Sequence, residues 1–203
     1  MTELSTHSDT VDHVLPFRLD GHNINGRVVQ LNDLATQVIT RHDYPEAVNR
    51  LLGEALVLVA MLGTMLKFDG RFILQLHGKG AISTLMVDYA PDGDGVGEMR
   101  GFAQFDEAAV HQALKDEIPP IALLGDGSHM AFTVDQGADM ERYQGIVPLE
   151  GETLAEAALE YFQRSEQIAT TLKLAAAPLL LAGGKVEWRA GGIVGQQTAT
   201  TGG

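Results

Sequence analysis

The chain has 203 residues, a formal net charge of −13 and no cysteine. Its length suits one large domain or two small ones, and 45% apolar with 20% charged residues describes a globular chain able to bury a core. The acidity argues against nucleic acid and anionic membranes as partners, because both need clustered Lys and Arg, and the missing thiols exclude disulfides and thiolate metal sites within these residues.

Residues 1–13 are polar and lack the basic segment and apolar run of a secretory signal. Residues 1–15 are therefore expected to be a disordered lead-in. Residues 17–30 pattern as a short strand pair around Gly21 and Gly26, and Asn32 is expected to cap a first helix over about 33–42, with Leu34, Val38 and Ile39 inward. Asp43, Pro45 and Glu46 open a second helix, about 46–67, with Lys67 in its last turn and Asp69-Gly70 as its stop. The centre of that helix, Ala55 to Leu62, is apolar all round. Such a helix is a buried spine, not an exposed Met-rich groove, and the apolar run to Leu66 falls short of the ~20 residues of a bilayer span. A cytoplasmic protein is expected.

Phe72, Leu74 and Leu76 alternate with polar positions, the period of a half-buried strand. Gly78-Lys79-Gly80 turns the chain, Ile82 to Tyr89 returns it, and a strand follows at about 97–104. A weak internal repeat of roughly 45 residues then emerges. Val87-Asp88, Arg100-Gly101 and a helix over about 106–116 parallel Val134-Asp135, Gln144-Gly145 and a helix over about 153–164, giving two hairpin-plus-helix units. Gly145 and Pro148 mark Tyr143 to Leu149 as an edge or irregular strand. Thr153 and Glu156 form a capping box, and Leu154, Ala157, Ala158, Tyr161 and Phe162 make one helical stripe. Glu152 and Glu156 suit the positive end of the helix dipole and Arg164 the negative end. Late strands are expected at 168–175 and 186–194. The fold class is α+β, with mixed or antiparallel sheets packed with a few helices, the helix at about 46–67 being long and largely buried.

Sites of chemistry are few. Gly78-Lys79-Gly80 lacks the spacing of a P-loop and sits between strands, so it reads as a hairpin turn. Asp92-Gly93-Asp94-Gly95 lacks the remaining ligands and helical flanks of a calcium loop. The histidines at 7, 13, 22, 42, 77, 111 and 129 show no zinc spacing; His42 and His77 read as partly buried polar contacts. Ser128-His129 has no nucleophile-elbow context. No catalytic, cofactor-binding or metal residue is assigned, no client-binding residue can be named, and the chain reads as a binding protein and not an enzyme.

The run from Arg142 to Ile168 resembles the core of the redox-regulated heat shock protein 33 family. So, in the same order, do Arg41-His42-Asp43-Tyr44-Pro45, Leu51-Leu52-Gly53-Glu54-Ala55, Leu66-Lys67-Phe68-Asp69-Gly70 with Gln75 and the Gly78/Gly80 turn, and Ala190-Gly191-Gly192. The resemblance implies an ATP-independent holdase of the stress response that binds unfolded proteins, prevents their aggregation, supports refolding and dimerises when active. It also implies a helical linker and a C-terminal module in which four cysteines hold zinc. This chain has no cysteine, and residues 193–203 depart from the apolar, Leu-Pro strand end expected there. The expectation is a core domain over 16–195 with a flexible tail at 196–203 that holds no cofactor itself, in a truncated form or, alternatively, a natural form without the switch. Competing readings are a dimerisation domain without client binding, or an enzyme with an unrecognised cleft.

Overall fold

Two antiparallel sheets enclose a helical layer in the computed structural model, which describes residues 11–65, 70–93, 96–135, 143–166 and 168–197. One sheet has four strands: β1 (His13–Leu19), β2 (Ile24–Leu31), β8 (Thr170–Leu180) and β9 (Val186–Gln197), in the order β1-β2-β9-β8. The other has five: β3 (Arg71–His77), β4 (Ile82–Ala90), β5 (Glu98–Phe105), β6 (His129–Asp135) and β7 (Tyr143–Pro148), in the order β5-β4-β3-β6-β7. The helices are α1 (Asp33–Ile39), α2 (Glu46–Met65), α3 (Glu107–Lys115) and α4 (Leu154–Glu166), with a short 3-10 turn at Pro120–Leu124. The α+β expectation holds.

The five-stranded sheet is the internal repeat made visible. β4-β5-α3 and β6-β7-α4 are the two hairpin-plus-helix units, and β3 pairs antiparallel with the first strand of each. β7 is an edge, as Gly145 and Pro148 required.

Helix α2 is the spine. From Ala47 to Gly63 most of its side chains are buried, including Leu51, Leu52 and the whole run Ala55 to Leu62. Two glycines let the sheets close on it from opposite sides. A Cβ at Gly53 would lie 2.6 Å from that of Ala176 on β8, and one at Gly63 would lie 2.5 Å from the Tyr89 ring on β4. Glycine in a helix costs about 1 kcal/mol against alanine; here the closer packing offsets it. The helix is long and apolar enough to cross a membrane, but most of that surface is buried between the sheets.

Several expectations are corrected in detail. Asn32 sits at the N-cap of α1 but its side chain makes no capping bond. Asp12 caps instead, its carboxylate accepting from the Asn32 and Leu34 N–H groups at 2.5 and 2.9 Å. The helix ends at Ile39, short of 42. His13–Leu15, assigned to the lead-in, belong to β1, and Gln196 and Gln197, assigned to the tail, pair with β2. Gly26 is not a turn residue: it lies inside β2 opposite Phe17. β8 continues five residues past Ala175, to Leu180. Lys67 and Asp69, the expected end of α2, lie outside the described residues.

Candidate functional site

The outer face of the four-stranded sheet is built by strand register. β2 points Arg27, Val29 and Leu31 towards the helices and Ile24, Gly26, Val28 and Gln30 away from them. Pairing extends that outward set into rows across the sheet. Leu15, Val28, Ile193 and Lys173 form one row, and Phe17, Gly26, Gly195 and Thr171 form the next. Leu19 and Ile24 are paired beyond them. Leu15, Leu19, Val28 and Ile193 are 54%, 48%, 37% and 43% exposed. An apolar sheet face left open to water in this way marks an interaction surface.

Phe17, Gly195 and Thr171 of the second row form the floor of a groove of about 650 Å3, walled by Leu19 and Ile24 on one side and Ile193 on the other, and closed at the end by His22 and by Gln163 of α4; Gly26, the remaining member of that row, is buried under the Phe17 ring. The two glycines differ. At Gly26 an added Cβ would meet the Val194 carbonyl at 2.2 Å and the Phe17 ring at 2.3 Å, because Phe17 is folded flat onto it. At Gly195 the nearest atom would be Ile24 Cγ2 at an ordinary 3.5 Å, so that glycine keeps the floor low without being required by the fold.

A second apolar feature is the tip of the β8–β9 hairpin. Its register runs to Leu180↔Val186, where β9 has no β2 partner, and Leu179, Leu180, Leu181 and Val186 are exposed there. Beside it, Lys185 and Arg189 bind the Glu187 carboxylate at 2.8 and 2.7 Å and hold it below the usual range.

The residues weighed for chemistry resolve into structure. The Lys79 and Gly80 N–H groups both donate to the Leu124 carbonyl at 2.8 Å, so the Gly78-Lys79-Gly80 turn offers no cradle to a phosphate. Asp92 and Gly93 follow strand β4, and Asp94 and Gly95 lie outside the described residues. His42 stacks on Tyr44 with ring centroids 4.6 Å apart, its Nε2 3.2 Å from the Gly101 carbonyl. His13, His22 and His111 are within hydrogen-bond reach of nearby carbonyls, and His7 lies outside the described residues. Ser128 is buried, and its carbonyl accepts from Leu149. His77 stacks on His129 across β3 and β6, centroids 4.9 Å apart, a pair that 51 intervening residues hide from any spacing rule. Among the described residues no group of three His, Cys, Asp or Glu could hold a metal ion.

One carboxyl stands out. Burial pushes Glu54 of α2 up to about 7, with Arg50 pulling it down only in part. Arg50 is committed elsewhere, to Glu46 at 2.7 Å and to the Ala176 carbonyl at 3.0 Å. Among the described residues no other carboxyl is pushed up in this way, so Glu54 reads as a half-buried acid of the spine.

Comparison with known proteins points the same way. Residues 12–199 match the Hsp33 protein family. A 33 kDa chaperonin of Caulobacter vibrioides is 43% identical over 202 residues, covering 98% of this chain and 65% of its own, and one of Vibrio cholerae is 40% identical over 157 residues, 74% of this chain and 48% of its own. The chain thus spans just under two thirds of the length of the first of these relatives. The crystal structure of a 33 kDa chaperonin from Thermotoga maritima superposes with a TM-score of 0.71 at 22% identity, over 91% of this chain and 60% of that one, and so shares the fold. On this match of family, sequence and fold, the chain belongs to the heat shock protein 33 family.

Proposed function

We propose that this chain is the client-holding core of an ATP-independent, cytoplasmic chaperone, and that clients dock in the groove across the four-stranded sheet. The observation that carries the reading is the open apolar row Leu15-Val28-Ile193 beside a glycine-floored trough. Unfolding proteins expose apolar segments, and removing apolar area from water is worth roughly 25 cal/mol per Å2. A trough with a flat floor takes side chains of many shapes, as a promiscuous holder needs. The net charge of −13 keeps the loaded complex soluble.

The role is non-enzymatic and uses no cofactor of this chain. Redox control through zinc-bound thiolates belongs to cysteines, and these residues include none. Holding by this chain is therefore independent of oxidant. A homodimer is compatible with either apolar feature, and size analysis measures it.

The test is light scattering from a thermally unfolding client protein, with and without peroxide, comparing the wild type with Gly195→Val. The valine fills the groove floor where a Cβ has room and favours the strand. Wild-type suppression that is unaffected by peroxide and lost in Gly195→Val is expected. Absence of suppression by the wild type sinks the holdase reading. Full suppression by Gly195→Val moves the client site off this groove.

A further inference from the structure

Lys173 is the one charged side chain in the central outer row, directly across from Ile193, and its exposed ammonium makes no ion pair or hydrogen bond among the described residues. Among the described residues no partner on its own face neutralises it. The outward positions of β1, β2, β8 and β9 hold a single acidic residue, Glu187, which is occupied by Lys185 and Arg189 near the far hairpin tip. In a chain of net charge −13, the apolar face is thus locally cationic.

We propose that Lys173 makes this face selective for apolar client segments that carry a carboxylate. The inference rests on the groove being the client site. A segment lying along the trough runs across the strands, beside the row that ends in Lys173, so an Asp or Glu at its β8 end meets the ammonium while its apolar side chains cover Val28 and Ile193. The acidity of the whole chain pulls the other way, towards cationic segments. Screening decides between them: the Debye length is ~8 Å at physiological ionic strength, so remote carboxylates fade while a contact at Lys173 persists.

The experiment uses fluorescence anisotropy of a labelled, soluble Leu/Ser-rich peptide with a central Asp, and of its Asn and Lys versions, at physiological salt. The wild type is expected to bind the Asp peptide about fivefold more tightly than the Lys peptide, the scale of one half-exposed ion pair. Lys173→Ala should level the three, and Lys173→Glu should reverse the order. Lys173 is exposed, and emission of the buried Trp188, the sole tryptophan, reports that the variants fold. A wild-type preference for the Lys peptide, or an order that the two variants leave unchanged, overturns the role of Lys173. Failure of all three peptides to bind the wild type overturns the groove as the client site, and this proposal with it.

Discussion

The two sheets solve the same problem in opposite ways. Each gives one face to α2 and leaves the other to water. The five-stranded sheet dresses its outer face with polar partners: Arg71 Nε lies 3.1 Å from Asp88, Gln144 donates to Thr133, and His77 stacks on His129. Ala131 and Thr133 are buried beneath that dressing. The four-stranded sheet leaves Leu15, Leu19, Val28 and Ile193 bare. The five-stranded face exposes apolar side chains too, Phe102 at 37% and Ile146 at 61%, but Gln75 lies between them in their row, whereas Leu15, Val28 and Ile193 stand side by side. That unbroken apolar row is what favours the four-stranded face as the proposed client surface.

The largest expected effect separates the two faces directly. The double variant Leu15→Asp with Ile193→Asp places charge on the bare row, and Gln75→Asp with Thr84→Asp does so on the dressed face. Losing two apolar contacts of about 1.5 kcal/mol each weakens client holding roughly a hundredfold. The control on the five-stranded face should stay within about twofold. Because all four positions are at least partly open to solvent, chemical denaturation followed through Trp188 should show both doubles folded. Equal losses in the two doubles would erase the distinction between the faces.

A smaller effect concerns the layer between the sheets. Burial holds the Glu54 carboxyl near 7, whereas the unfolded chain ionises it at its ordinary value of about 4.5. Between those limits the folded state binds more protons than the unfolded one, so this group lowers stability as pH rises from about 4.5 to 7, and the penalty is complete above 7. Glu54→Gln removes it. The variant should be more stable than the wild type by about 1–2 kcal/mol at pH 8, after allowance for solvent at a half-buried group, and equal to it at pH 4. Urea midpoints at the two pH values measure this, and a gain that is the same at both would mean that packing, not ionisation, is what changed.

What the sequence discloses divides along the same line. Helix α2, the hairpins around β3 and the capping box of α4 are local patterns, with periods and caps that need no partner to be read. The outer row is not local. Leu15, Phe17 and Leu19 alternate like a core-facing strand, and Ile193 and Val194 are equally apolar neighbours; only pairing with β2 turns one outward and the other in. Gly26 and Gly195, 169 residues apart, are set side by side by register alone. The apolar run Leu179–Leu181 lies at an exposed tip because β9 outruns β2. Asp12 caps α1 from outside any local pattern, its partners lying 20 and 22 residues on.

The smallest effect tests how the two regions are joined. Helices α3 and α4 are equivalent in the internal repeat, and each is capped by one side chain: Asp106 accepts from Ala109 at 2.9 Å, and Thr153 accepts from Glu156 at 3.2 Å, with Glu156 accepting in turn from the Glu152 N–H at 2.7 Å. Removing either cap costs about 1 kcal/mol. The consequences should differ, because α4 closes the groove through Gln163 and α3 contributes nothing to it. Asp106→Ala and Thr153→Ala should therefore lose similar stability by urea denaturation, while only Thr153→Ala weakens peptide binding, by about twofold, half of its cap energy being felt at the groove wall. Equal binding by the two variants would show α4 to be scaffold alone. Unequal binding at equal stability would make it the element through which the dressed sheet supports the bare one.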